Sequence, residues 1–367
     1  MSKPIRILHV LQRMEAGGTQ TFLMNLYREI DKSKIQFDFL TEYPTKQFYD
    51  DEIESLGGKV YRSTVRLDGN ILKFENKLRN ILTENQYSII HVHAYTIGFF
   101  CLKIAKQCGV PIRIAHSHNN QMTKGLFYPA KIIMRKLYPI YANYFMACSE
   151  DAGKFLFPKK DFIVVKNAID TNKFKFNQSI RQQTRQELQI SDKFVVGNVG
   201  RLHKQKNQIF LLDIFKYISE YRPNAKLLMV GDGPLRKELL NKANSLGISD
   251  KLILLSNQTN MTRLYQAMDV FVLPSLFEGL GIVAIEAQTS GLPTFCSNTV
   301  SKDACVSKLF HSLPLGSADT WAQNILKSDS TRKPDEGYTS VKNSGFDVTD
   351  NAYRLQKWYI ETYLRWR

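Results

Sequence analysis

Val270-Phe-Val-Leu-Pro274-Ser-Leu-Phe-Glu278-Gly-Leu-Gly281-Ile-Val-Ala-Ile-Glu286-Ala287 passes from a short apolar run through a glycine-rich loop into a stretch with helical spacing. Pro274 ends the run, because proline cannot donate to a sheet ladder. Strand, loop and helix in that order make one βα unit, and a chain of such units builds a parallel sheet covered by helices.

The same rhythm extends in both directions. Towards the C-terminal half it recurs at Phe194 to Gly200, Lys226 to Val230, Leu252 to Leu255 and Thr294 to Ser297. Towards the N-terminus it recurs at Ile5 to Leu11, Phe37 to Thr41, Ile89 to Ala94, Ile112 to His116, Tyr144 to Ser149 and Phe162 to Lys166. Thr19 to Ile30, Leu72 to Glu84 and Gly98 to Gln107 carry apolar residues at three- and four-residue spacing, as crossover helices do. The polar stretch Thr171 to Asp192 breaks the rhythm and reads as an interdomain linker. The expectation is an α/β protein of two Rossmann-like, doubly wound domains, 1–172 and 173–349, with a terminal helix over 350–367. That helix would place Ala352, Leu355, Trp358, Tyr359 and Tyr363 at helical spacing behind a cap at Thr349 or Asp350.

Bulk properties agree with this plan. A chain of 367 residues exceeds the size of most single cores. Its composition, 43% hydrophobic and 23% charged, is that of a soluble globular protein. Every apolar stretch is shorter than the roughly 20 residues that a bilayer requires. Ile5 to Leu11 is interrupted downstream by Arg13 and lacks a cleavage site, so it reads as a first strand and the protein as cytoplasmic. Five scattered cysteines form no metal or redox spacing. The formal charge of +16 calls for an anionic partner, and residues 1–175 carry +10 of it.

Candidate chemistry sits where strands end. Glu278 lies in the glycine-rich loop and Glu286 on the helix behind it, so two carboxylates could accept hydrogen bonds from the hydroxyls of two successive rings. The backbone N–H groups of Gly281, Ile282 and Val283 open that helix and could hold phosphates between those rings. In Val199-Gly-Arg201-Leu-His-Lys-Gln-Lys206-Asn, Arg201 and Lys206 follow a strand and could neutralise a diphosphate. Gly17 and Gly18 stand between the first strand and the first helix, where a ligand could approach the backbone; a tight turn would need them equally. His118 follows another strand, whereas His91 and His93 read as ordinary strand residues. There is no Asp-x-Asp pair to hold a divalent metal; Asp50-Asp51-Glu52 reads as a solvated helix face, and no metal or other cofactor is expected.

Taken in order, Gly17-Gly18, His118 in Ala115-His-Ser-His-Asn119, Asn167-Ala-Ile-Asp170, Gly200-Arg201 with Lys206-Asn207, Gly231-Asp-Gly-Pro234 and the glutamate pair resemble the family 4 retaining glycosyltransferases over nearly the whole chain. The resemblance implies the GT-B architecture: two domains facing across a cleft, the acceptor on the first, the nucleotide mainly on the second, and the terminal helix crossing back to the first. It implies that Arg201 and Lys206 bind the donor diphosphate, Glu278 the transferred sugar and Glu286 the ribose. Gly17, Gly18 and His118 would line the reaction centre, with Asp232 a further donor-side residue. The family commonly has Asn-Gly where this chain has Asn167-Ala168, and the stretch Thr299 to Gly345 diverges.

Further expectations follow from that resemblance together with the charge. Lys124 to Ala142 mixes basic and bulky apolar residues like an interfacial helix, and a basic first domain suits an anionic membrane surface. The acceptor implied is a lipid-linked glycan of surface polysaccharide assembly, and the donor a nucleotide sugar with UDP as its nucleotide. The alternative within enzymes is a nucleotide-sugar epimerase of similar architecture. A dinucleotide oxidoreductase has only Glu42 near the end of the second strand in its favour. A nucleic-acid-binding protein would account for the charge, but no recognition motif accompanies it.

Overall fold

In a computed structural model, residues 3–15, 17–118, 128–256, 258, 260–328 and 331–367 are described, with the backbone alone for Tyr95, Thr96 and 128–131. Two compact units result: Met1–Ile169 together with Val348–Arg367, and Asp170–Asp347.

The first unit contains seven parallel strands: β1 Ile5–Leu11, β2 Ile35–Thr41, β3 Val60–Arg62, β4 Ile89–Val92, β5 Ile112–Ser117, β6 Tyr144–Ala147 and β7 Ile163–Val164. Their order is β3-β2-β1-β4-β5-β6-β7. One face of the sheet is covered by helices Gly18–Glu29 and Val348–Trp366, whose Phe22, Leu23, Leu26, Leu355 and Tyr359 pack on Ile7, Phe37, Phe39 and Ile114. Helices Ile71–Glu84 and Tyr95–Gln107 cover the other face through Phe74, Leu78, Cys101 and Leu102. The terminal helix thus belongs to the first unit, and it begins at Val348, earlier than the expected cap.

The second unit contains β8 Phe194–Val199, β9 Ala225–Val230, β10 Leu252–Leu255, β11 Val270–Leu273, β12 Thr294–Ser297 and β13 Phe310–Leu313, in the order β10-β9-β8-β11-β12-β13, all parallel. Its core packs helices Gln208–Tyr221 and Ala318–Lys327 on Val196, Leu227, Met229 and Val272, with Trp321 buried among them. In each sheet the chain builds outward from one central strand and then returns to that strand's other side. The reversal falls between β1 and β4 and between β8 and β11, and such switch points leave a crevice at the carboxyl ends of the strands.

Two expectations are corrected. Thr171 to Asp192 is not a linker but part of the second unit, folded into helices Thr171–Phe174 and Gln178–Glu187. Its polarity has a structural use: the Asn177 side chain caps the second helix, and Arg181 and Arg185 of that helix both pair with Asp269. Nor is Asp50-Asp51-Glu52 wholly solvated, because Asp50 is buried, accepts from the Gln47 N–H at 2.9 Å and pairs with Arg62 at 2.5 Å. Asn119 and the start of the amphipathic stretch, Lys124 to Phe127, lie outside the described residues.

Candidate active site

At the carboxyl ends of β8 and β11 two loops are stitched together. The Leu276 N–H donates to the Gln205 carbonyl at 2.8 Å, Gln205 Nε2 donates to the Phe277 carbonyl at 3.0 Å, and Asn207 Nδ2 donates to the Pro274 carbonyl at 3.1 Å. Asn207 takes the left-handed conformation, φ 54°, which lets the loop after Lys206 turn into helix Gln208–Tyr221.

This stitching brings Lys206 Nζ to 2.6 Å from Glu278 Oε1. Both side chains are largely buried, 17% and 8% exposed, so the pair is held in one geometry. Ser275 Oγ also donates to Glu278 Oε1, at 2.7 Å, and the Ser275 backbone is fixed in turn by the hydroxyls of Ser297 and Thr299. Gly281, φ 78°, then starts helix Ile282–Thr289. That backbone conformation favours glycine, and a Cβ would lie 3.1 Å from Val300 Cγ1. One turn into the helix, Glu286 accepts from Tyr265 Oη at 2.6 Å. Burial pushes the Glu286 carboxyl up to about 7, against the Tyr265 hydrogen bond and the charge of Lys206, which pull it down.

Lys206, Glu278 and Glu286 are therefore neighbours, and the N–H groups of the helix opened by Gly281 share their loop. Arg201, on the loop after β8, is exposed. Asp232 is exposed as well, and its Oδ1 accepts from the Gly233 N–H at 2.8 Å, a turn-forming bond. The glycines around it serve packing: a Cβ on Gly231 would fall 2.1 Å from the Gly200 carbonyl oxygen, and one on Gly233 would fall 2.3 Å from that of Leu202. A cation, two carboxylates and a helix start can together hold a diphosphate and the hydroxyls on either side of it.

The first unit has a second polar cluster at the matching sheet position. Gly17 precedes helix Gly18–Glu29 as its N-cap residue. His9 pairs in register with His91 across β1 and β4, and since residues two apart share a face, His93, His116 and His118 join them there. Among seven histidines, five thus meet on one side of one sheet. His118 Nε2 lies 2.8 Å from His93 Nδ1, and His93 Nε2 lies 3.0 Å from His9 Nδ1. Alongside, His116 Nδ1 lies 2.9 Å from His91 Nε2, and His91 Nδ1 lies 2.6 Å from Tyr359 Oη of the terminal helix. Burial drives His9 and His118 down to about 3 and His91, His93 and His116 well below the ordinary value, so all five rings are neutral at physiological pH.

The trios His9-His91-His93 and His93-His116-His118 each bring ring nitrogens within 4.8 Å of one another, as a metal site would. In each, however, His93 already spends both nitrogens on neighbouring rings. The geometry is that of imidazoles bonded to each other. His91 and His93 are thus more than strand residues. Their i, i+2 spacing, repeated at His116 and His118, was the available signal. Tyr265 and His9 carried none, because their partners are remote in sequence.

Residues 16–173 match the profile of Glycosyltransferase Family 4, and residues 180–308 match that of Glycosyl transferases group 1. EpsF of Bacillus subtilis (strain 168), named as a glycosyltransferase, is 34% identical over 372 residues, covering 96% of each chain. The chain belongs to the family 4 glycosyltransferases. An Escherichia coli relative named UDP-Gal:alpha-D-GlcNAc-diphosphoundecaprenol alpha-1,3-galactosyltransferase is 23% identical over 97% of both chains. Anabaena HepE, solved in complex with UDP-glucose, superposes with a TM-score of 0.78 at 18% identity, over 97% of this chain and 99% of that one, which establishes the shared GT-B fold. A family 4 transferase leaves the epimerase reading without support, and among the described residues no helix is long and apolar enough to cross a membrane.

Proposed function

We propose that this glycosyltransferase moves a hexose or N-acetylhexosamine, with retention at the anomeric carbon, from a UDP-sugar to a lipid-linked oligosaccharide during assembly of a surface polysaccharide. The observation that carries the donor half is the buried Lys206–Glu278 pair beside Glu286 and the helix start at Gly281. Lys206, with Arg201, holds the diphosphate and stabilises the charge that grows on it as the glycosidic bond breaks. Glu278 is released from Lys206 to accept hydroxyls of the transferred sugar, and Glu286 accepts those of the ribose. Cations and N–H groups supply the charge compensation with no metal required, so EDTA is expected to leave the rate unchanged.

Retention follows if the acceptor oxygen attacks the anomeric carbon on the face the nucleotide leaves. The acceptor hydroxyl then gives its proton to the departing phosphate oxygen, and the products are the extended glycan and the nucleoside diphosphate. Incubation with UDP-sugars and a polyprenyl-diphosphate sugar, followed by NMR of the product, tests this directly. An inverted anomeric centre excludes the same-face route, and free epimerised donor with no glycan excludes transfer.

For the acceptor, the support is the name of the Escherichia coli relative, which specifies a diphosphoundecaprenol-linked sugar, and that of CapH of Staphylococcus aureus, a capsular polysaccharide biosynthesis glycosyltransferase. An acceptor of that kind places the enzyme at the cytoplasmic face of the cell membrane. The basic first half, with Ile133 and Ile140 exposed beside Lys136, supports peripheral docking on anionic lipid. Co-sedimentation with anionic vesicles at low salt checks it, and protein that stays in the supernatant rejects it.

A further inference from the structure

Three loops at the carboxyl ends of β1, β2 and β3 are bonded into one surface of the first unit. The Glu42 N–H donates to the Gln12 carbonyl at 3.1 Å, the Tyr49 N–H to that of Met14 at 3.2 Å, and the Arg66 N–H to that of Glu42 at 3.2 Å. The first and third loops each contribute an exposed arginine, Arg13 and Arg66. Arg13 Nη2 donates to Tyr43 Oη at 3.1 Å, and Gln20, on the first turn of helix Gly18–Glu29, donates to the Arg13 carbonyl at 2.9 Å. Turned so that its amide oxygen faces the guanidinium, Gln12 accepts from Arg66 Nη2 at 3.0 Å and from Nε at 3.2 Å. Both guanidiniums are thus held by neutral groups.

The charge of these two arginines is not cancelled as that of their neighbours is. Lys46 pairs with Asp51 at 2.6 Å, Arg62 with Asp50 at 2.5 Å and Lys73 with Asp68 at 3.7 Å. Among the described residues Arg13 forms no ion pair, and Arg66 comes no closer to a carboxylate than 3.9 Å, to Glu42. Glu42 is 1% exposed, and neither of its carboxylate oxygens has a hydrogen-bond partner. Burial pushes it up to about 7, against the charges of Arg66 and Arg13, so at neutral pH it offsets them only in part. Glu15, on the loop of Arg13, is exposed, where water screens it. Apolar side chains stand exposed on the same surface: Phe48 on the second loop, Leu67 next to Arg66, and Leu72 at the start of helix Ile71–Glu84. Fixed positive forks beside exposed hydrocarbon fit an anion that itself carries a hydrocarbon chain.

We propose that Arg13 and Arg66 grip the diphosphate of the lipid-linked acceptor, and that Phe48, Leu67 and Leu72 receive the hydrocarbon next to it. This rests on the acceptor proposed above and gives it a place on the first unit. Guanidinium forks match phosphate oxygens two at a time, so arginines fixed by Gln12 and Tyr43 select a diphosphate, where loose lysines would meet any anionic surface. The surface also lies at the carboxyl ends of the strands, where open parallel sheets take their ligands.

Isothermal titration of the full-length protein with farnesyl diphosphate reads this site without turnover, with excess UDP present to occupy Lys206 and Arg201. Wild type is expected to bind the probe, and to bind inorganic diphosphate, which lacks the hydrocarbon, about tenfold more weakly. Arg13→Ala combined with Arg66→Ala should raise the Kd of the probe about a hundredfold, roughly tenfold per arginine, with UDP affinity unchanged. Lys46→Ala combined with Lys73→Ala should bind as wild type does, because those charges are already paired. Either single arginine variant keeps the test open should the double variant fail to fold. No binding by wild type, an equal loss in the lysine variant, or equal affinity for inorganic diphosphate each overturns the proposal. Vesicles of anionic phospholipid should sediment wild type and the arginine variant alike; a loss confined to the variant would make this face a bilayer contact and overturn the assignment. A wild type that grips the probe yet transfers no sugar would refute the proposed function and leave the grip standing. One that transfers sugar without binding the probe would do the reverse.

Discussion

The two units place their polar clusters at the same point of the same topology, the carboxyl ends of the strands beside the switch in strand order, and fill that point with opposite chemistry. The second unit puts an ion pair, a second carboxylate and a helix N-terminus there. The first puts two glycines and five neutral imidazoles there. A parallel sheet dictates where side chains converge and leaves their chemistry open, which is why one fold can carry a charged cluster in one unit and an uncharged one in the other. On the proposed function the division has a use: a departing diphosphate needs fixed positive charge, while a sugar and its acceptor need donors and acceptors that do not compete for that charge.

The most severe way to break this comparison is to remove the charge from the second unit. Lys206→Ala combined with Arg201→Ala is expected to lower kcat/KM by about a thousandfold or more, since each lost donor to a developing anion costs on the order of a hundredfold. Full donor affinity and turnover in that double variant would place the site elsewhere. Glu278→Gln keeps the shape but removes the ion pair and weakens acceptance from sugar hydroxyls. Its expected cost is about a hundredfold in kcat, measured by single-turnover transfer, because hydrogen bonds to charged groups are the strong ones.

The units should also answer pH in opposite directions. His9 and His118 are held near 3 in the folded protein, against 6.5 when solvated. The stabilisation of the first unit is then complete above about 6.5 and is lost as pH falls towards 3, because the unfolded chain takes up protons first. At pH 5 the loss is about 2 kcal/mol for the fully buried His9. Glu286, raised to about 7 from 4.5, behaves in reverse, favouring the folded second unit below 4.5 and losing that contribution as pH rises through 7. Amide hydrogen exchange at pH 5 and pH 8, corrected for intrinsic rates, should show the first unit opening more readily in acid and the second in base. Equal responses would mean that the imidazoles are already charged.

How much of this could be read beforehand depended on the distance between partners. The βα rhythm and the Glu278–Glu286 loop are local, so their strands, helix and glycine turn were legible from residues that lie side by side. The error at Thr171 to Asp192 arose because a polar helix looks like a linker until Asp269, far along the chain, is known to receive its arginines. The histidine chain failed for the same reason. His9 lies in β1, while His93 and His118 directly follow β4 and β5, and only the register of these strands brings them onto one face. Asp232 was legible as a motif, but in the structure the glycines around it account for loop packing.

The mildest test concerns the residue that was hardest to foresee. Tyr265 donates its hydroxyl to Glu286 at 2.6 Å, and this bond is the first of two influences that keep the carboxyl from rising further. Tyr265→Phe removes it without changing the packing volume, so Glu286 becomes more fully protonated at neutral pH. A protonated carboxyl has lost acceptor capacity, and a ribose that depends on it should bind more weakly. A net hydrogen-bond contribution of about 1 kcal/mol corresponds to a donor KM raised roughly fivefold at pH 7. Because the defect lies in ionisation and not in shape, it should shrink as pH is raised to 9, with kcat little changed throughout. A KM defect that persists at pH 9 would mean that Tyr265 acts through packing, and an unchanged KM at pH 7 would mean that Glu286 does not meet the donor.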